Sequence, residues 1–242
     1  MLIDKFNSRK ERPVSVVPLP VILVLSVALL AQISWHGWRP DIQATASDLP
    51  DTVSKITLQT MSMGEPVTLA KILMLWLQSF DNQPGLSIPF RDLDYDRVTA
   101  WLDLILALDE RSQYPLLSAS RLYAEVPDNE RRRIMLGFVF RKFLEDPNTR
   151  WPWMAHAVYI AKHRLKDLDL AMEYARAIRL KVTSDDVPGW ARQMELFILE
   201  DMGDIEGAKV LLGGLLESGV IKDRNELRFF EERLEKPVES EK

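Results

Sequence analysis

Hydrophobic residues fall along this chain in three regimes. From Val14 to Ser34 they form a run without a charged residue, VSVVPLPVILVLSVALLAQIS. That length suits a helix crossing a bilayer's hydrocarbon core, which takes roughly 20 residues. From Arg39 to Glu65 apolar positions thin out, and Val53, Lys55, Ile56 and Leu58 show no clean alternation. This predicts a tether, with at most a short extended piece at Val53–Gln59. Beyond Pro66, apolar residues recur at three- and four-residue spacing, the period of an amphipathic helix.

That period, with proline, glycine and aspartate as punctuation, predicts a succession of helices. They fall at about Val67–Phe80, Leu93–Leu108, Gln113–Val126, Asn129–Leu144, Trp151–Arg164, Leu168–Leu180, Asp186–Met202, Asp204–Glu217 and Arg224–Leu234. Pro115 and Pro152 are placed for first turns, where a missing N–H is tolerated. Asp81 to Asp92, with Pro84, Gly85 and Pro89, reads as a loop. The last helix is charged outside Leu227, Phe230 and Leu234, and Asp223 with Glu226 has the form of a capping box. The fold class is all-α.

One segment is written twice. Lys166-Asp-Leu-Asp-Leu-Ala171 leads into Ala175 and Ile178, and Gly203-Asp-Ile-Glu-Gly-Ala208 leads into Leu212 and Leu215, 37 residues on. A period in the thirties with helical spacing inside each copy points to stacked helical hairpins. Gly203 suits the left-handed turn that ends a helix, and Asp204 suits the cap of the next. On Gly203, Asp204, Ala208, Leu212 and Leu215 the chain resembles the second helix of a tetratricopeptide repeat. The match covers about half the chain and is partial: Lys166 replaces the turn glycine, and Ile178 and Leu215 are larger than the residue the family favours. The resemblance implies an α-solenoid of TPR-like helical hairpins with a concave groove for partner polypeptides.

The flanks of the apolar run set its orientation. Lys5, Arg9, Lys10 and Arg12 precede it, whereas Asp41, Asp48, Asp51 and Glu65 dominate the stretch on its C-terminal side. The positive-inside rule puts the N-terminus in the cytoplasm and the larger part across the membrane, the periplasm in a bacterium. Trp35 and Trp38 have the character of interfacial anchors. A cleaved signal peptide shares the basic start, but the nearest small-residue triplet, Ala44-Thr45-Ala46, lies far past the apolar core. The expected organisation is a cytoplasmic tail at 1–13, a single transmembrane helix at 14–38 contacting the lipid bilayer, a linker at 39–65, a TPR-like domain at 66–236 and a disordered tail at 237–242.

Chemistry leaves little trace. A formal net charge of −5 argues against a general nucleic-acid binder. Without cysteine there is no disulfide, thiolate nucleophile or cysteine–zinc site. His156 and His163 stand roughly 10 Å apart along one helix, too far to share an ion, and read as satisfied structural histidines. Asp92, Asp94 and Asp96 fail the calcium-loop pattern, with Arg97 at its glycine position and Asp103 at its glutamate position. Arg131, Arg132 and Arg133 read as a solvated helix start. Gly213-Gly214 reads as a point of close packing. No phosphate loop, nucleophile elbow or dinucleotide turn is written, so no catalytic residue, metal or cofactor is expected.

The expected function is a membrane-anchored scaffold or accessory subunit of an envelope assembly. Its partners would be other proteins, held by exposed aromatic and arginine side chains such as Tyr159, Tyr174 and Arg192. Two alternatives stand: a glycan-acting hydrolase or lyase using a carboxylate pair, and a purely structural subunit of a membrane complex.

Overall fold

The computed structural model describes residues 17–38, 47–83, 86–221 and 224–235. The chain divides into two compact units, Met1–Thr45 and Ala46–Lys242. The first contains helix α1, Leu19–Trp38, which has no buried residue and no acidic, lysine or arginine side chain. With a mean hydropathy of 1.9, it is long and apolar enough to cross a membrane. Pro18 and Pro20 sit at its start, where the missing N–H groups leave no helical bond unmade. The tails expected at 1–13 and 237–242, the first part of the linker and the Asp223 cap lie outside the described residues.

The second unit is almost wholly helical. Its helices are α2 (Lys55–Met61), α3 (Pro66–Ser79), α4 (Tyr95–Leu108), α5 (Tyr114–Arg121), α6 (Asn129–Glu145), α7 (Pro147–His163), α8 (Leu168–Lys181), α9 (Gly189–Arg192), α10 (Met194–Asp201), α11 (Ile205–Glu217) and α12 (Arg224–Glu235). Their main packing joins helices adjacent or next but one in the chain, such as α7 with α8, α5 with α7, and α8 with α10. A core cluster runs from Leu49 to Ile198, with Tyr123, Phe138 and Phe143 among its fully buried side chains. A second, smaller cluster joins Leu196, Ala208, Leu212, Leu215, Ile221 and Phe230.

Helix starts follow two chemistries. α3, α5 and α7 have proline in their first turn, where no N–H is needed. α4, α6, α8 and α11 follow Asp94, Asp128, Asp167 and Asp204, each carboxylate accepting a backbone N–H of the first turn. Two of these starts share a left-handed residue before the cap, though their hydrogen bonds differ by one residue in register. Lys166 and Gly203 both take left-handed backbone, at φ 54° and 78°. The Asp167 and Asp204 N–H groups then reach back to the carbonyls of Ala161 and Leu199. Ala171 and Ala208 are each fully buried one turn later.

Several expectations need correction. The segment expected as linker is partly built into the domain. Leu49 and Leu58 are buried, and Arg97 and Trp101 of α4 donate to the carbonyls of Leu49 and Pro50 at 2.6 and 2.8 Å. The extended piece expected at Val53–Gln59 is instead α2, capped by Ser54. The 81–92 loop contains a short antiparallel pairing, Asn82–Gln83 with Leu86–Ser87, and a 3-10 turn at Phe90–Asp92. α7 starts at Pro147, so Pro152 lies inside it. The helix expected through Met202 breaks at Gln193. A Cβ at Gly213 or Gly214 would meet nothing within 4 Å, so neither glycine marks a close approach.

Candidate partner-binding surface

α7 lies at the centre of the helical packing, with a neighbour on three sides. It packs against α5, α6 and α8, burying Met154, Ala155, Ala157, Val158, Ile160 and Ala161. Among its outward residues, Thr149, Pro152, His156, Tyr159 and His163 follow one another at three- and four-residue spacing, with Thr149, Tyr159 and His163 exposed and Pro152 and His156 half-buried. At the centre of this strip the His156 ring stacks on Tyr159, with centroids 5.8 Å apart and planes 18° off parallel. Tyr159 in turn meets His163 at 4.7 Å. The phenol is 45% exposed, so its outer face is free to receive a planar or apolar group.

Charges border this ladder. Glu125, just past α5, lies 3.8 Å from His156 Nε2 and 3.3 Å from the Arg164 guanidinium. Lys162 pairs with Asp201 of α10. Burial pushes the His156 imidazole below its ordinary range, and the nearby Arg121 guanidinium adds to this. Glu125 and a hydrogen bond to the Ser120 backbone act the other way. His156 is therefore held neutral at physiological pH. The ring hydrogen-bonds the Ser120 backbone, and its buried Nε2 has no hydrogen-bond partner among the described residues. His163 is exposed.

The three residues expected to contact a partner do not share one open surface. Tyr159 lies on the α7 strip. Tyr174 is buried in α8 against Phe140, at 5.1 Å between ring centroids, and burial raises its hydroxyl pKa. The expectation that Tyr174 is exposed is corrected: it lies on the buried stripe with Ala171, Ala175 and Ile178. Arg192 is half-buried and donates to the Ser184 carbonyl, which ties α9 to the preceding loop. His156 and His163, absent from the expected set, flank Tyr159 at helical spacing, a signal already present in the sequence.

A separate cleft of about 760 Å³ opens where α4, α6 and the start of α7 meet. Lys142 bridges Asp103 and Glu145, and Arg150 donates to the other oxygen of Glu145 at 2.9 Å. Burial tends to raise the Glu145 carboxyl, but hydrogen bonds from Lys142 and Arg150 outweigh it and hold the group below the usual carboxylate range. A glycosidic general acid needs the opposite shift. The arrangement is that of an ion-pair network joining three helices. Among the described residues no group of three histidine, aspartate or glutamate side chains is placed to hold a metal ion. No protein-family model matches the chain, and no curated protein or solved structure is significantly similar to it.

Proposed function

We propose that this chain is a membrane-anchored interaction module, held to the bilayer by α1, whose helical domain grips a partner polypeptide along the outward strip of α7. The observation that carries this reading is the Thr149–Pro152–His156–Tyr159–His163 strip, with its stacked rings. Residues at this spacing present one face to a docked helix or extended segment. A rigid aromatic centre with charged borders has the composition of a binding hot spot.

A TPR-like solenoid is the architecture we assign to the domain. Its support is local. The capping aspartates Asp94, Asp128, Asp167 and Asp204 recur at intervals of 34, 39 and 37 residues and alternate with proline-led starts. The turns at Lys166 and Gly203 both pass through left-handed backbone directly before a capping aspartate. Packing between near neighbours in the chain is what stacked repeats produce. The charge imbalance about α1 favours an N-terminus in the cytoplasm and the domain on the opposite face, the periplasm in a bacterial cell. Anchoring would raise the module's effective concentration for partners in the same membrane.

Site-specific photo-crosslinking in intact cells tests the reading. A photoreactive residue at position 159 should capture a defined polypeptide, and the same group at the exposed Glu232 of α12 should not. Capture through α1 but not through position 159 would favour the structural-subunit alternative.

A further inference from the structure

The edge of the domain nearest the tether in sequence is apolar where it meets solvent. Ile56 on α2 is 76% exposed, Met63 in the next turn 93%, and Ile72 and Leu75 on the outer face of α3 56% and 63%. Met61 and Val67 lie exposed among them. Behind Leu75 is a hollow of about 350 Å³ lined by Ala70, Met74, Ile105 and Tyr114, with Lys71 at its edge. Isolated exposed apolar residues are ordinary, but six of them on two consecutive helices and the turn that joins them make a candidate contact surface.

The turn carries a second signal. Met63 sits at φ 48°, a left-handed conformation unfavourable for a side chain with a Cβ, and Gly64 follows at φ 89°. A glycine at position 63 would relieve that strain. Instead a long, flexible, apolar side chain stands on the turn, almost fully in solvent. A projecting flexible apolar side chain of this kind suits a fluid apolar phase.

The chain's connectivity favours a membrane as the occupant. α1 ends at Trp38, and eight residues, Arg39 to Ala46, separate it from Ser47. Fully extended, a segment of that length reaches at most about 30 Å. Ser47 is fastened to Gln83, just past the C-terminal end of α3, by three hydrogen bonds, and Leu49 is buried, so the tether joins the domain roughly one α3 length, about 20 Å, from Met63. We propose that the apolar edge formed by Ile56, Met61, Met63, Val67, Ile72 and Leu75 rests in the headgroup–acyl boundary of the membrane that α1 spans. This rests on the anchor reading above. Lys55 and Lys71, both exposed beside the edge, are placed to meet lipid phosphates.

The absence of cysteine makes the test clean. Full-length chains carrying Met63→Cys, Leu29→Cys or Glu232→Cys would each bear one nitroxide label and be reconstituted in phosphatidylcholine–phosphatidylglycerol vesicles. Collision with oxygen, which concentrates in lipid, would be compared with collision with a water-soluble nickel chelate. The oxygen-to-nickel ratio at position 63 should exceed that at position 232 roughly fivefold and approach that at position 29. Ile56→Cys gives an independent second site on the same edge. A ratio at 63 equal to that at 232, with 29 in lipid, overturns the proposal and leaves the anchor standing. Nickel access at 29 overturns the anchor reading itself. A label at 63 shielded from both reagents shows a protein, a second copy included, on the edge and also overturns the proposal.

Discussion

The two ends of the helical domain are finished in opposite ways. At the C-terminal end α12 turns Phe230 inward and exposes Arg224, Arg228, Glu231, Glu232 and Arg233, with Arg233 pairing to Glu200 of α10. Its small core is separate from the main one. At the N-terminal end the strap from Ser47 and helix α2 feed Leu49 and Leu58 into the main core, yet the surface above them is apolar. In the stacked architecture proposed above the terminal faces must be covered, and a polar outer helix is the usual device. The C-terminal end has one, whereas the N-terminal end, nearest the membrane segment in sequence, does not. The contrast separates two tasks that exposure alone confuses: holding a stack together and meeting something outside it.

Substitutions can test that contrast. Leu58→Ala should have the largest effect, since it hollows out the main core at the N-terminal end; a loss of about 3 kcal/mol in urea unfolding is expected. Amide exchange should then quicken through α3 to α8 together, and a loss confined to α2 would mean the strap is only an appendage. Glu195→Ala acts at the other end. The Glu195 carboxylate is buried and shared by Arg176 and Arg179 of α8 at 2.9 and 2.6 Å. Its removal should cost about 2 kcal/mol and quicken exchange in α10–α12 while leaving α4–α7 protected. Uniform acceleration would show that the two cores unfold as one.

Smaller effects refine the likeness between the paired turns. Lys166→Gly should stabilise by about 1 kcal/mol, because it removes the left-handed penalty that Gly203 already avoids. No gain in thermal midpoint would mean that the Lys166 backbone relaxes without cost. The smallest effect expected is a pH dependence. Backbone N–H groups, of Arg131 and of Leu170, are the leading cause holding the Asp128 and Asp167 carboxyls below their ordinary values, with help from Arg131 and Arg133 side chains. A depressed carboxyl stabilises fully above its unfolded pKa of about 4 and loses that contribution as pH falls through the folded value. Urea midpoints should therefore fall below about pH 4, and Asp167→Asn should flatten that decline, since asparagine caps without titrating.

Much of the helical order was legible because two local signals coincide. At α4, α6, α8 and α11 an aspartate precedes apolar residues at helical spacing, and the expected starts fall within two residues of those observed. Where only one signal was present the reading slipped. Asp146-Pro147 is itself a helix start, but Trp151-Pro152 carried the heavier apolar signal and drew the boundary four residues late. Leu49 stands almost alone among polar residues, and its strap is held by Arg97 and Trp101, which meet it only in three dimensions. Tyr174 was misjudged for a different reason. Glu173 and Arg176 beside it suggest a wet surface, while its spacing from Ala171 and Ile178 puts it on the buried stripe. Tyr159 could be placed because nearly every other side of α7 carries small or apolar residues destined for neighbours.

Asn148 latches two helices together. Its side-chain oxygen takes the N–H groups of both Thr183 and Ser184, and its amide donates to the Thr183 hydroxyl. The latch fixes the foot of α7 to the exit of α8, and Glu195 fixes α8 to α10. Residues 147–201 are thereby tied together through α8. Arg233 and the small core fasten α11 and α12 to α10 in turn, so a pull on α12 reaches the rings around Tyr159 through α10.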